Sequence, residues 1–264
     1  MVASSSKVQT ALVTGATAGL GAAFARQLAA GGTRLVLVAR DRQRLTVMAD
    51  ELADRHGTTV EVLDADLATD GGVGVVASRL RDTGTPVDLL VNNAGIGLNR
   101  PFRRTDEADE LRLLRLNVEA VLRLTHAALP VMVQRRTGRV INVSSVAGFG
   151  PVAAGSTYPA SKAWVTNFSE SIDQSVRHLG VRVMALCPGF VRTEFHERAG
   201  IRTAGSPGWL WLRADDVVAD GLRDLARGRA VSVPDWRYKA LATVVRHAPH
   251  GLLRLATGRP TDRE

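Results

Sequence analysis

The stretch that most limits how this chain can fold runs from Val8 to Ala30. Val8–Thr14 is an apolar run of strand length that passes into Thr14-Gly15-Ala16-Thr17-Ala18-Gly19-Leu20-Gly21. A helical run, Ala22–Ala30, follows and stops at Gly31-Gly32. Strand, glycine turn and helix in this order aim backbone N–H groups and a helix N-terminus at one spot, an arrangement that holds a pyrophosphate. Gly15, Gly19 and Gly21 are spaced one residue wider than the common G-x-G-x-x-G dinucleotide pattern.

The remainder of the chain repeats the alternation. Arg34–Ala39, Thr59–Leu63, Asp88–Val91, Arg139–Val143, Val181–Leu186 and Ala230–Val233 read as further short strands. Helical stretches lie between them at Asp41–His56, from about Thr105 to Arg136, and at Asp215–Ala226. A helix after the third strand would have to open on Gly71, Gly72 and Gly74, which lowers its propensity. The pattern predicts an α/β fold: a doubly wound parallel sheet of about seven strands flanked by helices, with functional loops at the strand C-termini and a C-terminal helical tail. With 264 residues, no internal repeat and no long linker, residues 1–264 are expected to form one domain, 235–264 being a tail within it.

Composition closes several routes. The net charge is +8, but aromatic residues make up 5% and the basic residues are spread among acids, so no nucleic-acid surface is expected. A phosphate-bearing cofactor or an acidic substrate explains the charge as well. No run of 18 apolar residues exists, so no membrane span is expected. Cys187 is the only cysteine and Met1–Gln9 lacks the apolar segment of a signal peptide, which together point to the cytoplasm. Cys187 itself reads as a small buried residue. The six histidines show no metal-ligand spacing, and no metal is expected.

The second strand ends in Ala39-Arg40-Asp41-Arg42. An acidic side chain near that end would bond an adenosine ribose, whereas an arginine would meet a 2′-phosphate. Arg40 therefore favours NADP(H), and Asp41 leaves NAD(H) as the alternative.

Ser156-Thr157-Tyr158-Pro159-Ala160-Ser161-Lys162 carries a second signal. Pro159 fits a helix only in its first turn, and Ser156 or Thr157 can cap it. Tyr158 and Lys162 then stack on one face, one turn apart. The chain has 31 Arg but three Lys and two Tyr, so this pairing uses scarce residues. An ammonium beside a phenol lowers its pKa and gives a proton donor usable near neutrality.

Taken together, Thr14-Gly15-x3-Gly19-x-Gly21, Asn92-Asn93-Ala94-Gly95, Asn117, Ser145, Tyr158-x3-Lys162 and Pro188-Gly189 with Thr193 resemble the short-chain dehydrogenase/reductase family, in its motif order, from residue 8 to about 195. The resemblance implies a single Rossmann-type domain and hydride transfer with a nicotinamide cofactor. It implies that Tyr158 is the general acid or base, that Lys162 lowers its pKa and bonds the nicotinamide ribose, that Ser145 bonds the substrate oxygen, and that Asn117 orders a water in a proton relay. On the cofactor side it implies Gly15, Thr17, Gly19, Leu20 and Gly21 at the glycine turn and Asp66 and Leu67 at the adenine. Asn93, Ala94 and Gly95 would line the adenosine side, and Pro188, Gly189 and Thr193 would lie near the carboxamide.

Phe190–Arg213 is a long segment with Gly and Pro interruptions, and such segments act as lids. Phe190, Phe195, Trp209 and Phe149 offer an apolar cover for a substrate. The tail after Asp235 mixes Trp236, Tyr238, Leu241 and Val244 with basic residues, which suits packing on its own domain or a partner subunit, or a peripheral membrane or acyl-carrier contact. Apolar residues on the helices of Asn117 and Tyr158 (Leu113, Leu116, Val121, Trp164, Phe168) suggest a homodimer or homotetramer. The expected activity is NADP(H)-dependent interconversion of an apolar carbonyl, a ketone or 3-oxoacyl compound, with its alcohol. An NAD(H)-linked alcohol dehydrogenase and a catalytically silent dinucleotide-binding regulator are the alternatives.

Overall fold

The computed structural model describes residues 9–98, 100–150, 157–194 and 208–247. Among them seven strands form one sheet: β1 (Thr10–Thr14), β2 (Arg34–Ala39), β3 (Val60–Asp64), β4 (Leu89–Asn92), β5 (Gly138–Val143), β6 (Val181–Leu186) and β7 (Val231–Ser232). All pairs are parallel and the spatial order is β3-β2-β1-β4-β5-β6-β7. The order reverses between β1 and β4, which pair with Leu12 opposite Leu90, and the crevice at that reversal is where such sheets bind ligands.

Every central strand is buried on both faces, which is why each reads as an unbroken apolar run. Alternate residues build two cores. Ala11, Val13, Leu35 and Leu37 pack against α1 (Gly19–Ala30), α2 (Arg42–His56) and α7 (Ala214–Ala226). Leu12, Val36, Leu90 and Val140 pack against α3 (Asp70–Leu80), α5 (Ala120–Gln134) and the end of α6 (Tyr158–Val176).

The expected elements form, with ends displaced by a few residues. Helix α1 starts at Gly19 rather than Ala22, so two of the turn's glycines are already helical. Helix α3 forms despite its glycines. A Cβ on Gly72 would lie 2.1 Å from the Asp66 carbonyl oxygen, so the close approach of helix and loop requires that residue. Thr69 caps this helix, its Oγ accepting from Gly72 N–H at 3.1 Å.

The stretch read as one amphipathic helix is three pieces: α4 (Glu107–Leu114), a π-helical turn (Arg115–Glu119) and α5. From Glu107 to Gln134 it has the length and composition of a membrane-spanning helix, but it lies on the sheet with Leu113, Leu124 and Met132 at most 1% exposed. Leu113 and Val121 are core residues and Leu116 packs against the core, so they do not form the outward face expected of them. The wide turn breaks the single 3.6-residue phase, and Leu111, Leu114 and Leu122 face outward instead.

Candidate active site

The glycine turn is a cradle in which side chains would collide. Gly15 and Gly19 have φ of +64° and +54°. A Cβ on Gly21 would meet the Gly15 carbonyl oxygen at 2.1 Å. No side chain caps the start of α1 and its first turn has no acid, so that end is open to an anion. Thr17 lies in the turn, where its carbonyl accepts from Arg44, while Leu20 packs against the first core. Thr193 meets the cradle from the far side, 3.1 Å from where a Gly19 Cβ would be.

Asn93 locks the turn to β4. Its side-chain NH2 donates to Thr14 O at 2.9 Å and Gly15 O at 3.2 Å, and the N–H groups of Asn93 and Ala94 donate to Thr14 Oγ at 2.9 and 3.0 Å. These residues shape the cradle rather than present side-chain donors to a ligand.

At the end of β2 the arginines divide. Arg42 pairs with Asp64 at 2.9 Å and Arg44 with Glu194 at 3.2 Å. Arg40 is exposed and has no hydrogen bond or ion pair among the described residues, so it is free to meet a phosphate. Asp41 is occupied, capping α2 by accepting from Arg44 N–H at 3.0 Å. Asp66 accepts from Ala68 N–H and from Arg112, each at 3.0 Å. Burial pushes its pKa up, but those bonds and the Arg112 and Arg40 charges outweigh it and hold the carboxyl below its usual range. The Leu67 side chain is buried in the second core.

The other half of the site sits where β4, β5 and α6 meet. Asn117, fully buried in the π turn, clamps the backbone of Ile96: Oδ1 accepts from Ile96 N–H and Nδ2 donates to Ile96 O, both at 2.9 Å. The clamp lies within the π turn, a distortion common at functional sites. A Cβ on Gly95 would fall 3.1 Å from Asn117 Oδ1 and 3.6 Å from Lys162 Nζ, so the three converge.

Tyr158 opens α6 with Pro159 in the first turn, as the spacing predicts. Its hydroxyl is hydrogen-bonded to Ser145, whose Oγ also accepts from Ala147 N–H at 3.1 Å. Ser144 points away, donating to Lys162 O at 2.7 Å. Lys162 is 6% exposed; its Nζ donates to Val143 O at 2.8 Å and lies 5.7 Å from the centre of the Tyr158 ring.

Here the sequence expectation is reversed. Burial pushes the Tyr158 phenol up to about 12, against the opposing Ser145 bond. Burial also brings Lys162 down to about 8, with Cys187 acting in the opposite sense. The ammonium donates to a carbonyl and lies over the phenol ring, and exclusion of water decides the direction of both shifts.

Two residues at the site escaped the sequence reading. Glu110 is buried, yet its carboxylate accepts from Thr105 Oγ at 2.8 Å, from Thr157 N–H at 3.2 Å and from Thr157 Oγ. It thereby holds the residue before Tyr158. Its heptad relation to Asn117 was the available signal. Gly148 is the second: a Cβ there would lie 2.6 Å from the Lys162 carbonyl carbon, so the turn after Ser145 rests directly on α6.

Of the aromatic residues expected to cover a substrate, Phe149 is half-buried and Phe190 and Trp209 are 41% and 60% exposed. Phe190 meets Trp211 with ring centres 5.5 Å apart. Phe195 and the central part of the lid segment lie outside the described residues, as does the tail beyond 247.

A glycine cradle at the switch point of a seven-stranded parallel sheet, with a Ser–Tyr–Lys group beyond it, defines a dinucleotide-dependent oxidoreductase. A model of the short chain dehydrogenases matches residues 9–202. Sulfoacetaldehyde reductase 2 of Chromohalobacter salexigens is 37% identical over 196 residues, 74% of this chain and 76% of that one. A short-chain dehydrogenase from Sphingobium yanoikuyae, solved in complex with NADPH, is 35% identical with a TM-score of 0.85 over 97% of this chain and 98% of that one. The bulky-bulky ketone specific alcohol dehydrogenase of Comamonas testosteroni is 29% identical, with a TM-score of 0.80 over 98% of both chains. The chain belongs to the short-chain dehydrogenase/reductase family of oxidoreductases.

Proposed function

We propose that this protein reduces an apolar ketone or 3-oxoacyl compound to its alcohol with NADPH. The observation that carries the reading is Tyr158, hydrogen-bonded to Ser145 and stacked above Lys162, beside a cradle shaped for a pyrophosphate. The cofactor supplies the hydride. Gly15, Gly19 and Gly21 would take its pyrophosphate, Arg40 its 2′-phosphate, and Thr193 its nicotinamide end.

Ser145 orients the carbonyl oxygen by donating to it, and Tyr158 delivers the proton to the oxygen as negative charge develops there. A phenol held near 12 is protonated at neutral pH, the form that can donate to a carbonyl oxygen. Lys162, still cationic at pH 7, stabilises the tyrosinate left behind, and Asn117 stands next to it at the route by which a proton returns. Phe149, Phe190 and Trp209 give the cleft an apolar wall, in keeping with the bulky ketones named for the Comamonas testosteroni relative.

NADPH is favoured by the uncommitted Arg40 and by the NADPH complex of the Sphingobium yanoikuyae relative. Arg40→Asp should erase or reverse the preference over NADH, a change of roughly tenfold to a hundredfold in relative affinity for one charge-assisted contact. Titration of both cofactors tests it, and equal affinities in the parent protein would refute the assignment.

A further inference from the structure

Of the two tyrosines, Tyr238 has no part in the chemistry above. It lies on α8 (Trp236–His247) and is 3% exposed. Its ring fills the space where a Gly189 side chain would be, 2.0 Å from a Cβ placed there to Tyr238 Cζ. Its hydroxyl donates to Leu210 O at 2.7 Å and accepts from Phe190 N–H at 3.1 Å.

Those two backbone groups come from opposite ends of the segment Phe190–Arg213. The ends are zipped together: Leu212 N–H donates to Phe190 O at 2.8 Å, Arg192 N–H donates to Leu212 O at 3.0 Å, and Val191 bridges Leu212. Arg237 adds a second hold. It pairs with Asp235 at 2.7 Å, donates to Trp209 O and lies 6.0 Å from the Trp209 ring centre. From Gly189 the same loop runs to Thr193, against the glycine cradle.

We infer that Tyr238 is a positioning residue: its hydroxyl clasps Phe190 to Leu210 and so fixes one wall of the substrate cleft, making α8 a determinant of substrate specificity. This rests on the reading of Phe190 as a substrate-facing residue. Apolar packing alone does not need the hydroxyl, since phenylalanine would cover Gly189 equally well. A phenol that bridges two main-chain groups across the zipped ends sets their separation, and without it the hydrogen bond to each group is lost.

Tyr238→Phe isolates the hydroxyl while keeping the ring. In the full-length protein, amide hydrogen exchange at Phe190 should accelerate about fivefold to tenfold, with the amides of β1 and β5 unchanged. In steady-state kinetics the KM for a bulky ketone should rise by a similar factor, about fivefold to tenfold, with kcat and NADPH affinity within about threefold of the parent. Unchanged exchange at Phe190 would overturn the clasp. Accelerated exchange with KM unmoved, or a common fall in KM performance, kcat, NADPH affinity and thermal midpoint, would overturn its role in specificity. A parent protein that turns over no ketone would count against the proposed function, and the exchange measurement would still decide the clasp.

Discussion

Lys162 is a cation in a place that disfavours cations. Its spacing from Tyr158 was legible in the sequence, because four residues on a helix are one turn. What the spacing could not show was how completely water is excluded, and that decides the direction of both pKa shifts. Lys162 titrates near 8 in the fold and about 10.4 when unfolded. Below pH 8 both states hold the proton and the burial cost is present in full. Between 8 and 10.4 the unfolded chain holds the extra proton, so this residue makes stability rise with pH. Chemical denaturation of the cofactor-free protein and of Lys162→Met should therefore diverge, the parent gaining about 2–3 kcal/mol on the variant from pH 7 to 10. Parallel stability curves would contradict the burial.

At the scale of elements, the first turn of α6 is held by α4 and the π turn together. Glu110 grips Thr157 and Asn117 reaches Ser161 at 3.4 Å, on either side of Tyr158. Elements of strong period were legible throughout. The π turn was not, and the clamp on Ile96 that it carries is a contact remote in sequence from the helix. Helix α3 ran against its propensity, since Asp66 O leaves no room for a side chain at position 72. Glu110 stands in the sequence among Asp106, Glu107 and Asp109, with only its distance from Asn117 to single it out. Glu110→Ala would take the carboxylate partner from the half-buried Thr157 N–H and should cost about 1–3 kcal/mol. The thermal midpoint should fall by several degrees and kcat by more than NADPH affinity, since Thr157 directly precedes the proton donor Tyr158. Its pKa is opposed by burial but lowered by the Thr157 and Thr105 bonds, so its contribution is present above the ordinary glutamate pKa and lost as pH falls through the lower folded value. An unchanged midpoint at pH 7 would show that the grip contributes nothing.

For the whole molecule, the sheet order and the position of the cleft followed from alternation of short strands and helices, since parallel strands need crossovers and crossovers leave their loops at one edge. Assembly was less legible. The number of apolar residues on these helices suggested Leu113, Leu116 and Val121 as interface residues, but they pack inward and the outward positions belong to Leu111, Leu114 and Leu122. Trp164 and Phe168, stacked with ring centres 4.6 Å apart, are half-buried on α6. We expect these faces to pair between copies, so sedimentation at micromolar concentration should show a dimer or tetramer that Trp164→Glu drives toward monomer. A monomeric parent would contradict it.

The reduction mechanism depends on one oxygen atom. Tyr158→Phe keeps the ring and leaves the cradle intact, so the fold and NADPH affinity should match the parent. NADPH oxidation driven by a bulky ketone should fall by at least about 10²–10⁴-fold, the worth of a general acid. Near-full turnover in that variant, on a ketone the parent reduces, would show that the proton comes from elsewhere.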